Sequence, residues 1–346
     1  MRMHAFHRTE LLLGREGYAR VAGASVCVIG LGGVGSYAAE ALARSGVGHL
    51  TLVDFDRVCL TNLNRQLHAL RSTVGQPKAD LMADRARDVH PRCDVRPLTV
   101  FYGPDTCDAI LDRPYDAVLD CIDHLPNKVH LLRACLQRGL PVWSAMGAGG
   151  RLDPTRIRVS DLSETRNDPF ARWVRQGLRD LGVPTDAATG VQAVWTDEPP
   201  AELDAEVEAG FVCICPDKAG SPFACDDRHQ VQGTVAWMPP MFGLAMAGAV
   251  VHALAGRDAV RRPAEAPRER MRPAEGKLSN ERKRALSRAA LPGLTITSSQ
   301  TVEGALASTG GAAPARGSSA GRPRVEQSAG VSQGEGPSGP APVGEA

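Results

Sequence analysis

The stretch "GLGGVGSYAAEALARSGVGHLTLVDFD", residues 30–56, decides the fold. The apolar run 25–29 before it reads as a β-strand that enters Gly30-x-Gly32-x-x-Gly35. Residues 35–44 carry a helical period, and a second apolar run, 49–54, ends in Asp54, about 20 residues beyond the glycines. Strand, glycine loop, helix and acid-tipped strand make the cradle that α/β proteins offer to a dinucleotide pyrophosphate. By itself the pattern leaves open whether the loop holds NAD or another nucleotide.

Outward from this unit the alternation continues. Residues 94–100, 115–120 and 141–145 are short β-branched or apolar runs, and 78–89 and 127–138 are amphipathic, with Pro77 expected as the first residue of its helix. The expectation is an α/β fold of Rossmann-like type, a doubly wound and mainly parallel sheet. After "GAGGRLDPTRIRVSDL" (147–162) the pattern loosens. Residues 168–182 read as an Arg-rich amphipathic helix, and 185–228 form a polar segment with an acidic patch and three cysteines. The apolar run 235–254 is interrupted by Pro239 and Pro240, leaving a helix of roughly 14 residues. At about 1.5 Å per residue that is too short for a bilayer core of about 30 Å, so it is expected as a buried helix. Residues 1–255 are read as one domain, with a nucleotide-binding half over about 20–150 and a substrate-side half over about 151–255. The tail from 256 to 288 is basic, with eleven basic against five acidic side chains over 257–288. Residues 289–346 are Gly, Ala, Ser and Pro in the main, a low-complexity tail expected to be disordered because it buries too little to offset its ordering entropy. The basic part is read as solvated, with RNA or lipid headgroups as the other readings.

The chain has 346 residues, with Lys and Arg numbering 40 against 39 Asp and Glu, so no global field draws it to nucleic acid or membrane. A local basic groove remains compatible with that balance. Nine cysteines without a framework suit reduced thiols, and residues 1–17 lack the apolar core of a signal peptide; the expected compartment is the cytoplasm.

The segment after Asp54 separates the candidate ligands. "DFDRVCLTNLNRQLHALRSTVGQPKAD" (54–80) puts Asn62, Arg65 and Lys78 on one long connection beyond the carboxyl end of the second strand, where open α/β sheets bind ligands. Two cations and an amide exceed what a dehydrogenase needs there and suit a triphosphate that must lose pyrophosphate. No Walker loop is present. "LDCID" (119–123) adds Asp120 and Asp123 as carboxylates able to hold Mg²⁺. Taken singly, an Arg or Lys is ordinary solvated surface, Asp56 shapes a turn and Asn62 caps a helix; their joint placement after one phosphate loop favours ATP.

Residues 30–56, "TNLNRQLHAL", "VGQPKADLMADRARDVHP", "LDCID" and "GAGGRLDPTRIRVSDLSET" resemble the E1-like adenylating superfamily of the ThiF, MoeB and HesA type. The "NRQLHAL" and "GAGGRLDPTRI" stretches and the later "DP" before an Arg-rich helix resemble its tRNA threonylcarbamoyladenosine dehydratase branch, over about residues 6–254. The resemblance implies an E1-like fold and ATP with Mg²⁺ as cofactors. It implies backbone contacts to ATP from Gly30, Gly32, Gly33 and Gly35, and a ribose contact from Asp54 with Asp56 and Asn62 nearby. Arg65 and Lys78 are implied as phosphate-binding catalytic cations, Asp123 as the magnesium-associated acid, and Arg8 as an N-terminal arginine that reaches a nucleotide site, often that of the neighbouring subunit. It also implies tRNA bearing t6A at position 37 as substrate, a homodimer, and a sulfur-relay protein as a further partner. The chain departs from the pattern at His124, where many relatives carry Asn or Ser. Cys213, Cys215 and Cys225 lack the spacing of two CxxC pairs, so no zinc is expected.

Charge marks Arg156, Arg158, Arg166, Arg172, Arg175, Arg179 and the basic tail as the candidate tRNA surface. Three other readings stand beside the dehydratase: an adenylyltransferase for the C-terminal glycine of a sulfur-carrier protein, an NAD-dependent dehydrogenase, and a non-catalytic nucleotide-binding scaffold.

Overall fold

A computed structural model describes residues 4–204 and 233–257. The cysteines at 213, 215 and 225 and both tail segments beyond 257 lie outside the described residues.

Seven strands form one sheet: β1 (Ser25–Ile29), β2 (His49–Val53), β3 (Asp94–Leu98), β4 (Ala117–Asp120), β5 (Val142–Ala145), β6 (Ile157–Asp161) and β7 (Val191–Thr196). Their spatial order is β3-β2-β1-β4-β5-β7-β6, and only the β6–β7 pair is antiparallel. Consecutive side chains of the central strands serve opposite faces, as the two-residue strand period requires. Val26, Val28, Leu50, Leu52, Ala117 and Leu119 enter one core; Cys27, Ile29, Val53 and Val118 enter the other. The first core is covered by α1 (His7–Gly23), α2 (Gly35–Arg44), α3 (Lys78–Val89) and α7 (Met238–Leu254). The second is covered by α4 (Pro104–Ile110), α5 (Leu125–Arg138) and α6 (Pro169–Asp180). The sheet is therefore doubly wound, and its strand order reverses between β1 and β4, which places a ligand crevice beyond their carboxyl ends.

Several elements depart from the sequence reading for identifiable reasons. Pro77 is the N-cap of α3 and not its first residue, because its ψ of 132° is still extended. Strand β3 stops at Leu98. Helix α7 absorbs the two prolines: it starts at Met238 and runs 17 residues, since the first turn of a helix needs no N–H partner inside the helix. Among the described residues no helix is long and apolar enough to cross a membrane. The region read as loosened contains β7, which joins β5 in parallel, and β6, which pairs antiparallel with β7 at the sheet edge.

The second core also holds a charge. Lys128, fully buried on α5, donates to Asp120 Oδ2 at 2.6 Å and lies 3.2 Å from Ser144 Oγ, which itself donates to Asp120 Oδ2 at 2.6 Å. The other carboxylate oxygen accepts the Ile122 N–H at 3.1 Å. Asp120 is thus consumed in tying β4, β5 and α5 together, which removes it as a magnesium ligand.

Helices α2 and α7 cross at a glycine. A Cβ on Gly243 would overlap the Val34 carbonyl oxygen and stand 3.0 Å from Ala38 N, whereas a Cβ on Gly248 of the same helix meets nothing within 4 Å. Gly243→Val is expected to cost about 3 kcal/mol or more through overpacking. Gly248→Ala is expected to be neutral or to stabilise by about 0.5–1 kcal/mol. Urea unfolding of the two variants checks the contrast, and equal costs would refute the close crossing.

Candidate nucleotide site at the sheet switch point

The glycine loop is shaped by protein contacts before any ligand is considered. Gly30 has a φ of 89°, and a Cβ there would come 2.8 Å from the Cys121 carbonyl oxygen. At Gly35 a Cβ would overlap the Gly30 carbonyl oxygen. The tight turn and the helix start therefore both exclude side chains. Around Gly32 the space is open, with only Gln66 Nε2 within 4 Å of an added Cβ, at 3.7 Å. At Gly33 a Cβ would meet Pro239 Cβ at 2.9 Å and Arg65 Cγ at 3.3 Å, so Arg65 stands directly against the loop.

Asp54 binds that loop to β2. Its Oδ2 accepts the Leu31 N–H at 2.6 Å and its Oδ1 accepts the Asp56 N–H at 2.8 Å. Burial pushes its carboxyl pKa up, an effect that the nearby Lys78 charge partly offsets. Lys78, itself only 4% exposed, donates to Asp56 Oδ2 at 2.7 Å. Burial disfavours its charge, but Asp54, Asp56 and Asp123 outweigh that penalty and raise its pKa. The ammonium is thus held charged at the floor of the crevice. Asn62 spends its Oδ1 on the Cys59 N–H at 3.0 Å, closing a short 3-10 turn whose carbonyl then accepts from Arg65 and Gln66. That turn aims Arg65, whose Nη1 donates to Thr61 O at 3.0 Å and Asn64 Oδ1 at 2.9 Å. Asp123 is exposed just past β4, and His124 comes next as the N-cap of α5.

The fold thus brings Gly30, Gly32, Gly33, Gly35, Asp54, Asp56, Asn62, Arg65, Lys78 and Asp123 to one crevice. Arg8 does not join them within its own chain. It lies on α1 beside Leu12, Leu13, Ser45 and His252, around an open hollow of about 490 Å³, at the opposite end of α2 from Gly35. His68 escaped the sequence reading. Its Nε2–H donates to Leu31 O at 2.8 Å, clamping the loop residue whose N–H Asp54 holds. A histidine inside the apolar period of "NRQLHAL" carries no sequence signal that separates it from a core residue.

A family model described as the ThiF family matches residues 6–290. A Bacillus subtilis protein named tRNA threonylcarbamoyladenosine dehydratase is 44% identical over 251 residues, covering 72% of this chain and 94% of its own length. An Escherichia coli protein of the same name is 40% identical over 252 residues, covering 72% and 91%. The crystal structure of that E. coli dehydratase, TcdA, in complex with ATP covers 73% of this chain and 94% of its own, with a TM-score of 0.63 and 34% identity. The chain belongs to the ThiF family.

Burial lowers the His68 pKa to about 4. The unfolded chain takes up this proton near pH 6.5 and the folded chain only near pH 4. Stability is therefore lost as pH falls through that window, by up to about 3 kcal/mol. Urea unfolding at pH 7 and pH 4.5 should show a smaller difference for His68→Gln than for wild type. An unchanged difference would remove the buried neutral imidazole from the account.

Proposed function

We propose that this member of the ThiF family is an ATP-dependent tRNA threonylcarbamoyladenosine dehydratase, which converts t6A at position 37 of tRNA to cyclic t6A. The observation that carries the reading is the match, over nearly their whole length, to proteins of that name. The crevice supports it with open space at Gly32 beside Arg65 and Lys78, a setting for a triphosphate.

In this reading ATP lies over the glycine loop with its ribose toward Asp54. The threonyl carboxylate oxygen attacks the α-phosphorus, the bond to the β-phosphate oxygen breaks, and pyrophosphate leaves. Arg65 and Lys78 take up the charge that develops on the departing group. Lys78 exchanges its Asp56 partner for phosphate oxygen, so Asp56 serves to hold the ammonium in place until ATP arrives. The ureido group of the same base then attacks the acyl carbon, loses a proton, and expels AMP, a ring closure with net loss of water. Nucleophile and electrophile share one nucleoside, so orientation supplies much of the rate. Asp123, an exposed hard-oxygen donor whose charge acts on Lys78, would be the residue that holds Mg²⁺. When bound, that ion neutralises phosphate charge.

The proposal extends to a homodimer in which Arg8 serves the partner's crevice, to a sulfur-relay protein as a further partner, and to a cytoplasmic location where tRNA is found. The distance of Arg8 from its own glycine loop supports its action across an interface.

Arg65→Ala is expected to abolish cyclic t6A formation with unchanged unfolding, read as the absence of an 18-unit mass loss from t6A and of AMP release. A near-normal rate would remove Arg65 from the site. Arg8→Ala is expected to be inactive alone, yet mixing it with Arg65→Ala should restore about a quarter of wild-type activity, because randomly paired subunits form some dimers with one complete site. No recovery would refute action across the interface.

A further inference from the structure

We propose that the exposed face of α6, Trp173 and Arg172 together with Arg166 just before the helix, is a docking surface for the tRNA substrate, with Trp173 stacking on an unpaired base. This rests on the dehydratase reading and names the surface that reading leaves undefined.

Charge in the sequence marks six arginines between residues 156 and 179, and the structure spends four of them elsewhere. Arg156 and Arg158 pair with Asp197, at 2.7 and 3.5 Å. Arg175 donates to the Thr165 carbonyl and hydroxyl oxygens, and Arg179 to Thr185 Oγ1 and Gln176 Oε1. Arg166 and Arg172 are exposed, and among the described residues neither has a carboxylate within 4.0 Å. Trp173 follows Arg172 on α6 and is 52% exposed, as Trp237 is at 48% at the start of α7, while Trp143 and Trp195 are 8% and 5% exposed.

The helix presents this face rigidly. Its inner side, Ala171, Val174 and Leu178, is fully buried, and a Cβ on Gly177 would come 2.8 Å from Val129 Cγ2, so α6 lies flush on α5. Asp168 caps it through the Phe170 and Ala171 N–H groups at 2.9 and 3.1 Å. The same carboxylate accepts the Gly147 N–H at 3.2 Å, from the loop that leaves the carboxyl end of β5. Asn167, with a φ of 55°, turns the chain into that cap just after Arg166. The Asp168 cap therefore stands at the carboxyl edge of the sheet, with β5 two strand spacings, about 10 Å, from β1, and Trp173 lies five residues further along α6.

An exposed aromatic ring on one short stretch with two guanidinium groups that pair with no carboxylate among the described residues matches single-stranded RNA. Bases stack on the ring, and the arginines meet phosphates. Position 37 lies in the anticodon loop, where unpaired bases are available beside the one that reacts.

The test measures tRNA affinity of the full chain by fluorescence anisotropy across a KCl series, together with ATP affinity and the KM for t6A-bearing tRNA. Trp173→Ala is expected to weaken tRNA binding about ten-fold with the salt slope unchanged. Arg172→Ala should reduce that slope by about one. Trp173→Phe should recover most of the lost affinity, and ATP binding should stay at its wild-type value throughout. Wild-type affinity and KM in Trp173→Ala, in an enzyme that still makes cyclic t6A, would overturn the docking surface alone. A wild-type protein that forms no cyclic t6A would instead overturn the dehydratase reading. A partner protein captured by this face, with tRNA affinity unmoved by all three variants, would also count against RNA as its occupant.

Discussion

The Asp54 carboxylate is the constraint on which the crevice depends. One oxygen holds the Leu31 N–H in the glycine loop and the other the Asp56 N–H, so a single side chain sets the loop against the start of the connection that bears Asn62, Arg65 and Lys78. Its charge also keeps Lys78 protonated in a place where burial alone would favour the neutral amine. An asparagine could occupy the same volume. It would give one N–H donor where an N–H now needs an acceptor, and it would leave the lysine with less counter-charge.

A second buried charge does structural work of a different kind. Lys128 and Asp120 are removed from water entirely, a costly arrangement that survives because both carboxylate oxygens and the ammonium are hydrogen-bonded. Two carboxylates three residues apart on one strand end thus have unlike fates. Asp120 turns inward and stabilises the join of β4, β5 and α5; Asp123 stays at the exposed surface just past the strand.

The parallel half of the sheet was legible because its strands are buried on both faces and read as plain apolar runs. Strands β6 and β7 were not. Strand β6 is an edge strand whose "IRVSD" places Arg158 and Asp161 in a half-buried row, and β7 lies within a polar neighbourhood that hides "VQAVWT". Helix α1 escaped notice because Leu11 and Leu12 are 70% and 75% exposed, so its apolar residues do not form a single inward stripe. The glycine loop and the cations after Asp54 could be grouped from spacing alone. The fate of Asp120 could not, since its partner comes from the next helix and lies where an apolar residue would be expected.

Helices α2 and α7 both begin at the glycine loop, yet they do not offer an anion the same thing. The opening of α7 is Met238-Pro239-Pro240, all three buried, with Pro239 pressed toward Gly33. Two of its first-turn residues have no amide hydrogen, so this helix start can be packed dry without stranding donors. The amino end of α2 has no proline and starts beside the open ground at Gly32, whose carbonyl accepts the Ser36 N–H at 3.1 Å. Proline at the neighbouring helix thereby withdraws two amide donors, so the start of α7 offers an anion fewer hydrogen bonds than a helix start without proline.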